Sequence, residues 1–125
     1  MACLTVFTLT SCEKDDNLEL STSDYIIFGH FYGKCVGEQC IEIFRLENEK
    51  LFEDTKDQYP NSGEFNGGIW VQLSQQKFND TKDLTKYFPT DLLKETERVI
   101  GQPDAGDWGE LYVEYNFNGV RERFT

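Results

Sequence analysis

The strongest constraint on the fold is the pair Asn118-Gly119, set between two runs rich in apolar residues, Glu110 to Phe117 and Val120 to Thr125. A type I′ turn needs a positive φ at both central residues, which Asn and Gly tolerate better than other pairs, so the runs are held to a tight antiparallel hairpin. The two-residue loop also fixes the register, placing Val113 opposite Phe124 and Glu114 opposite Arg123. A second hairpin is expected earlier. Asp24 to Lys34 and Cys40 to Leu46 are rich in aromatic and β-branched residues and read as strands. Between them Gly37-Glu38 carries glycine at the first central position, as a type II′ turn requires. That loop sets Cys35 opposite Cys40 in a non-hydrogen-bonded pair, with Cα atoms about 4.5 Å apart. This is the short end of disulfide geometry, and a Cys35–Cys40 bridge follows. The same register puts Phe31 opposite Phe44 and Gly33 opposite Glu42 on the cysteine face. Tyr32 opposes Ile43 and His30 opposes Arg45 on the other.

The remaining elements are shorter. Asn48-Glu49 reads as a turn into a strand over Lys50 to Glu53, and Ile69 to Leu73 as a fourth strand. The polar stretch from Asp54 to Gly68, with Pro60, Asn61, Gly63, Gly67 and Gly68, reads as an exposed loop. A short helix is expected over Asp80 to Phe88, with Leu84, Tyr87 and Phe88 on one side. A longer helix is expected from a Thr90 cap, with Leu92, Leu93, Thr96, Val99 and Ile100 as its apolar stripe and Gly101 and Pro103 at its end. The sum is about six mostly antiparallel strands with one or two helices inserted after the fourth and laid on one sheet face, an α+β fold. Asp24 to Thr125 forms a single domain of about 100 residues, large enough for one core. Ten Phe, six Tyr and two Trp supply that core.

The chain begins with an address. Ala2 to Leu9 is apolar or small and uncharged, long enough for a secretory h-region and far shorter than the roughly 18 residues of a membrane-spanning helix. Leu9-Thr10-Ser11-Cys12 then gives way abruptly to Glu13-Lys14-Asp15-Asp16. Small residues before a cysteine fit the narrow site of a lipoprotein signal peptidase. Met1-Ala2-Cys3 lacks the positive charge of a usual n-region, so the reading rests on the step from apolar to small residues to cysteine. The segment resembles the lipobox of bacterial lipoproteins. The charged tract after the cysteine is similar to that of surface-exposed lipoproteins of the Bacteroidetes group. The resemblance implies a signal peptide over 1–11, cleavage before Cys12 and a lipid on its thiol. It also implies a location on the outer membrane or cell surface, facing the periplasm or the exterior. Several acyl chains on one cysteine anchor stably. Residues 12–23 are polar and read as a flexible tether. Cys3 leaves with the signal and Cys12 takes the lipid, which leaves Cys35 and Cys40 to pair in an oxidising compartment.

A net charge of −11 and a pI near 4.4 repel phosphate backbones, which argues against nucleic acid as a partner. The motifs that carry chemistry are equally restrictive. His30, the single histidine, falls on the sheet face opposite both cysteines, so His30, Cys35 and Cys40 do not converge as zinc ligands and a fourth ligand is missing. There is no Gly-x-Ser-x-Gly elbow, no His-Glu-x-x-His and no phosphate-binding glycine loop. Asp104, Asp107 and Glu110 in the loop Gly101 to Gly109 offer oxygen ligands at a spacing that does not match an EF-hand. Asp side chains bonding nearby amides account for such a loop. Gln102-Pro103-Asp104-Ala105-Gly106-Asp107, followed by Tyr112, Glu114 and Asn118-Gly119, is similar to the late segment of small envelope lipoproteins. In those proteins the segment reads Cys-Pro-Asp-Cys-Ala-Asp, with cysteines where this chain has Gln102 and Ala105. The resemblance carries no activity.

The expectation is therefore a lipid-anchored envelope protein that acts by binding or scaffolding, without catalysis, cofactor or metal. Its partners are the membrane, through Cys12, and an envelope protein or small ligand. Its contact surface is expected at Trp108, Trp70, Tyr59, Asp104 and Asp107. The alternatives are a small hydrolase using Asp104, Asp107 or Glu110 with or without an ion, and an acidic inhibitor or immunity-type protein that plugs a basic site.

Overall fold

The computed structural model describes residues 18–60, 64–101 and 109–125. Its centre is one six-stranded antiparallel sheet. The strands are β1 (Tyr25–Phe31), β2 (Ile41–Glu47), β3 (Lys50–Asp54), β4 (Trp70–Gln72), β5 (Glu110–Phe117) and β6 (Val120–Phe124), in the spatial order β4-β3-β2-β1-β5-β6. One α-helix, α1 (Gln75–Thr81), and 3₁₀ turns over Lys82–Tyr87 and Thr90–Lys94 lie between β4 and β5. The fold is α+β, as the strand pattern and the late helical insertion imply.

Both two-residue turns behave as their residues dictate. Asn118 and Gly119 have φ of 52° and 81°, and Asn48 and Glu49 have φ of 47° and 57°, so each satisfies the double positive φ of a type I′ hairpin. β5 and β6 pair with Val113 opposite Phe124 and Glu114 opposite Arg123, the expected register.

The β1–β2 hairpin differs. Phe31 opposes Ile41, His30 opposes Glu42 and Phe28 opposes Phe44, a shift of three residues from the tight-loop register. An odd shift exchanges faces. It brings Ile41 and Ile43 onto the same face as Ile27 and Phe31, where all four are buried. The tight-loop register would have paired Phe31 with Phe44 and set Glu42 on that face. Burial of the isoleucines decides the register, and the surplus residues become a loop. β1 ends at Phe31, Tyr32 N–H donates to the Cys40 carbonyl at 2.9 Å, and a 3₁₀ turn over Glu38–Cys40 closes the end. Gly37, with φ of 126°, precedes that turn instead of serving a type II′ corner. The Cys35–Cys40 disulfide is present, with Cα atoms 5.6 Å apart, and it staples the loop instead of two facing strand positions.

The helical region also departs from the periodicity. α1 starts at Gln75, five residues before the expected Asp80, because Ser74 caps it by accepting from Lys77 N–H at 3.3 Å. Gln75 and Gln76 bond Asn79 and Asp80 one turn on. Phe88 is buried as expected, but Tyr87 is exposed. The helix expected from Thr90 to Ile100 is only a 3₁₀ turn to Lys94, with Pro89 at its cap position. The chain beyond it is taken by the C-terminus: Ile100 N–H donates to the Thr125 carbonyl at 2.8 Å and Thr125 N–H to Arg98 at 2.9 Å. Leu93, Val99 and Ile100 remain exposed.

The sheet is covered on both faces. One carries Ile26, Tyr115, Phe117, Phe124 and Phe88, with Phe28, Leu92, Val113, Leu18 and Leu20 against them. The other carries Tyr25, Ile27, Phe31, Cys40, Ile41, Ile43 and Tyr112, with Trp70 against them.

Candidate functional site

The second face holds most of the buried charge. Glu114, opposite Ile27 in the middle of β5, is fully buried. Its Oε1 accepts from the Tyr25 hydroxyl at 2.8 Å and from Arg121 Nε and Nη2 at 3.2 and 3.0 Å. Its Oε2 accepts from the Tyr112 hydroxyl at 2.7 Å and from Asn66 N–H at 3.2 Å. Three strands and a loop therefore meet at one carboxylate. Burial, followed by the bond to Glu114, pushes the Tyr25 phenol up to about 12 and holds Tyr112 above its ordinary range.

A second buried carboxylate, Asp54, fixes the same loop. Its Oδ1 accepts from Lys56 and Ile69 N–H at 2.9 and 2.8 Å, and its Oδ2 from Asn66 Nδ2 at 3.1 Å. Gly68 is needed there, since a Cβ would lie 2.5 Å from the Asp54 carboxyl carbon. Over this clamp runs a stack of cations and rings. Arg121 lies 3.8 Å from the Phe65 ring centroid and 5.9 Å from that of Tyr25. Arg45 lies 4.2 Å from Tyr25 and 5.8 Å from Trp70. Arg45 also pairs with Glu47 at 2.6 Å. Glu114 is saturated with donors and covered, so it braces the face and offers no oxygen to a substrate. The hairpin register, with Tyr112 and Glu114 beside Arg121 and Arg123 on one face, is the sequence signal that locates this cluster.

The two ends of the sheet differ in what they expose. At the end where β1 finishes and β2 and β5 begin, Val36 is fully exposed on the disulfide loop, and Tyr32, Tyr59 and Leu111 are exposed at the same end. Tyr59 donates its hydroxyl to the Tyr32 carbonyl at 3.0 Å and sets its ring edge-on to Phe31. Gly109 passes so close beneath Tyr32 that a Cβ would meet the ring at 2.4 Å. On the helix-bearing face at this end, Phe28, His30, Glu42, Phe44, Leu111 and Val113 line an open hollow of about 340 Å³. His30 Nε2 is 3.8 Å from Glu42 Oε2, and its ring meets Tyr32 edge-on at 5.3 Å.

The residues expected at a contact surface divide accordingly. Tyr59 is exposed at this end, whereas Trp70 is half-buried against the core and Arg45. Asp104, Asp107 and Trp108 lie outside the described residues, as does Cys12. Cys35 and Cys40 are joined and offer no thiolate. Among the described residues no group of three or more His, Cys, Asp or Glu is placed to hold a metal, and no helix is long and apolar enough to cross a membrane. Sequence reading missed Val36 and Tyr32 because the tight-loop register hid the length of the exposed loop, and it missed Leu111, which sits in β5 opposite His30. No family model, no curated protein and no solved structure matches the chain.

Proposed function

We propose that this chain is a lipid-anchored cell-envelope protein, held at Cys12 on the outer membrane or cell surface, that acts by binding a partner protein through the end of the sheet bearing the disulfide loop. The observation that carries the reading is that Val36 and Tyr32 on the β1–β2 loop, which Cys35–Cys40 staples, Tyr59 from the stretch after β3 and Leu111 at the start of β5 are all exposed at this one end of the sheet. Large apolar side chains gathered on a rigid support are what a docking surface requires. Leu9-Thr10-Ser11-Cys12 and the following charges support the anchor, and the disulfide suits an oxidising compartment. The saturation of Glu114 supports binding over catalysis.

Two measurements test it. The intact mass of the chain from its native membrane is expected to start at a lipid-bearing Cys12 and to gain two hydrogens on reduction. A mass that retains Met1, without lipid and with free thiols, overturns the anchor. A photo-crosslinking residue at position 36 is expected to give a discrete adduct in cells, and the same residue at position 49 none. The binding reading is overturned if position 36 gives no adduct or both positions give the same one.

A further inference from the structure

The chain is docked on the domain ahead of the first strand, from Leu18 onward. Leu18 and Leu20 pack against the aromatic core of the helix-bearing face. Asp24, almost fully buried, locks the following turn: Ser21 N–H donates to its Oδ2 and Asn118 N–H to its Oδ1, both at 2.9 Å, and Asp24 N–H returns to the Ser21 carbonyl at 3.1 Å. Asn116 Nδ2 adds a bond to the Ser23 carbonyl at 3.2 Å. Residues 18–24 are thus stapled to the β5–β6 turn, so the docked part of the chain begins at Leu18. From Cys12 to Leu18 is six residue steps, which span at most about 20 Å.

The point of attachment lies at one end of the sheet. The turns Asn48-Glu49 and Asn118-Gly119 and the segment 18–24 all sit where β1 begins, and the disulfide loop sits where it finishes. Six residue steps of β1 put the two ends about 20 Å apart. The attached end is also acidic: Glu19, Glu47 and Glu49, with Lys82, border a cleft of about 480 Å³ between segment 18–22 and α1. Such a surface does not adhere to anionic headgroups, so the length of the tether governs the approach. We infer that the end bearing Asn48-Glu49 and Asn118-Gly119 is the surface facing the lipid bilayer, and that the domain stands with its disulfide loop directed away from it. The inference rests on Cys12 as the attachment point.

The test separates this geometry from lipidation in the cell. The sheet and both cores are built from Leu18 onward, so the chain beginning at Cys12 retains them. With Cys35 and Cys40 paired, Cys12 is its free thiol and couples to a maleimide lipid in phosphatidylcholine vesicles doped with a gadolinium-chelating lipid. Backbone amides of Asn48, Glu49, Asn118 and Gly119 are expected to relax several-fold faster than those of Val36 to Cys40. Ten Gly/Ser residues inserted after Asp16 are expected to flatten that gradient. Uniform relaxation, or faster relaxation at Val36 to Cys40, overturns the orientation. A gradient that survives the insertion overturns the short tether as its cause. A failure of native lipidation is read by intact mass and leaves this result unchanged.

Discussion

The two faces of the sheet are covered by different physics. The helix-bearing face is closed by apolar volume: Phe88 sits edge-on to Tyr115 and Phe117 at 5.9 and 5.4 Å, and Tyr115 stacks on Phe117 at 4.6 Å. The other is closed by an irregular stretch between β3 and β4 that has no amphipathic stripe to bury. It is held by hydrogen bonds to two buried carboxylates, Asp54 and Glu114, and by rings layered with Arg45 and Arg121. A regular element supplies its own backbone bonds and needs only packing, whereas a loop over a core must have its amides satisfied from elsewhere. The first face therefore fails through lost volume and the second through a lost acceptor.

The largest effect is expected from Glu114→Leu. It leaves the Tyr25 and Tyr112 hydroxyls and the Arg121 guanidinium without their acceptor, and Asn66 N–H with only the Tyr112 hydroxyl at 3.3 Å, at a cost of about 4 kcal/mol, measured by chemical denaturation. Amide exchange is expected to rise first at Asn66 and Ile69. Uniform exchange across both faces would show that the loop is not held by this carboxylate. Phe88→Ala follows at about 3 kcal/mol through the cavity it opens beside Tyr115 and Phe117. Its exchange signature is expected on Tyr115, Phe117 and Phe124, with Asn66 and Ile69 unchanged, and spread to the loop would erase the distinction between the faces.

The smallest effects are two pH dependences, one from Tyr25 on the carboxylate face and one from Asp24 at the stapled segment 18–24. Folding raises the Tyr25 phenol from its ordinary 10.0 to about 12. The folded chain therefore keeps a proton that the unfolded chain has released. Its stability contribution is complete below pH 10.0 and is lost as pH rises through about 12. Tyr25→Phe is expected to make the melting temperature less steep in that window. Asp24 acts at the opposite limit. The Ser21 and Asn118 amides hold its carboxyl below the ordinary 3.8, so its contribution is present above that value and is lost as pH falls beneath it. Thermal melts of Asp24→Asn from pH 2 to 6 are expected to lose that acid-side slope.

The parts of this fold legible in the sequence are those in which chemistry acts between near neighbours. Asn118-Gly119 and Asn48-Glu49 specify their turns through φ, and the turn then fixes the partner of every residue up to Val113 and Phe124. The Cys35–Cys40 pair follows from proximity and survives the wrong loop, because a disulfide needs only a Cα separation that a six-residue loop provides in more than one conformation. The alternation of strand runs with turn residues determines α+β.

Tertiary structure alone decided what depends on distant surfaces. The β1–β2 register moved three residues because burying Ile41 and Ile43 beside Ile27 and Phe31 outweighs a tight turn. The helix expected over Thr90 to Ile100 yielded to pairing with Thr125, whose free edge no local pattern reveals. Glu114 meets Tyr25 and Asn66 across separations of 89 and 48 residues. A local rule sees only its own neighbours along the chain. Which apolar surface is buried, and which polar groups must then find partners inside it, is fixed when the whole sheet is assembled.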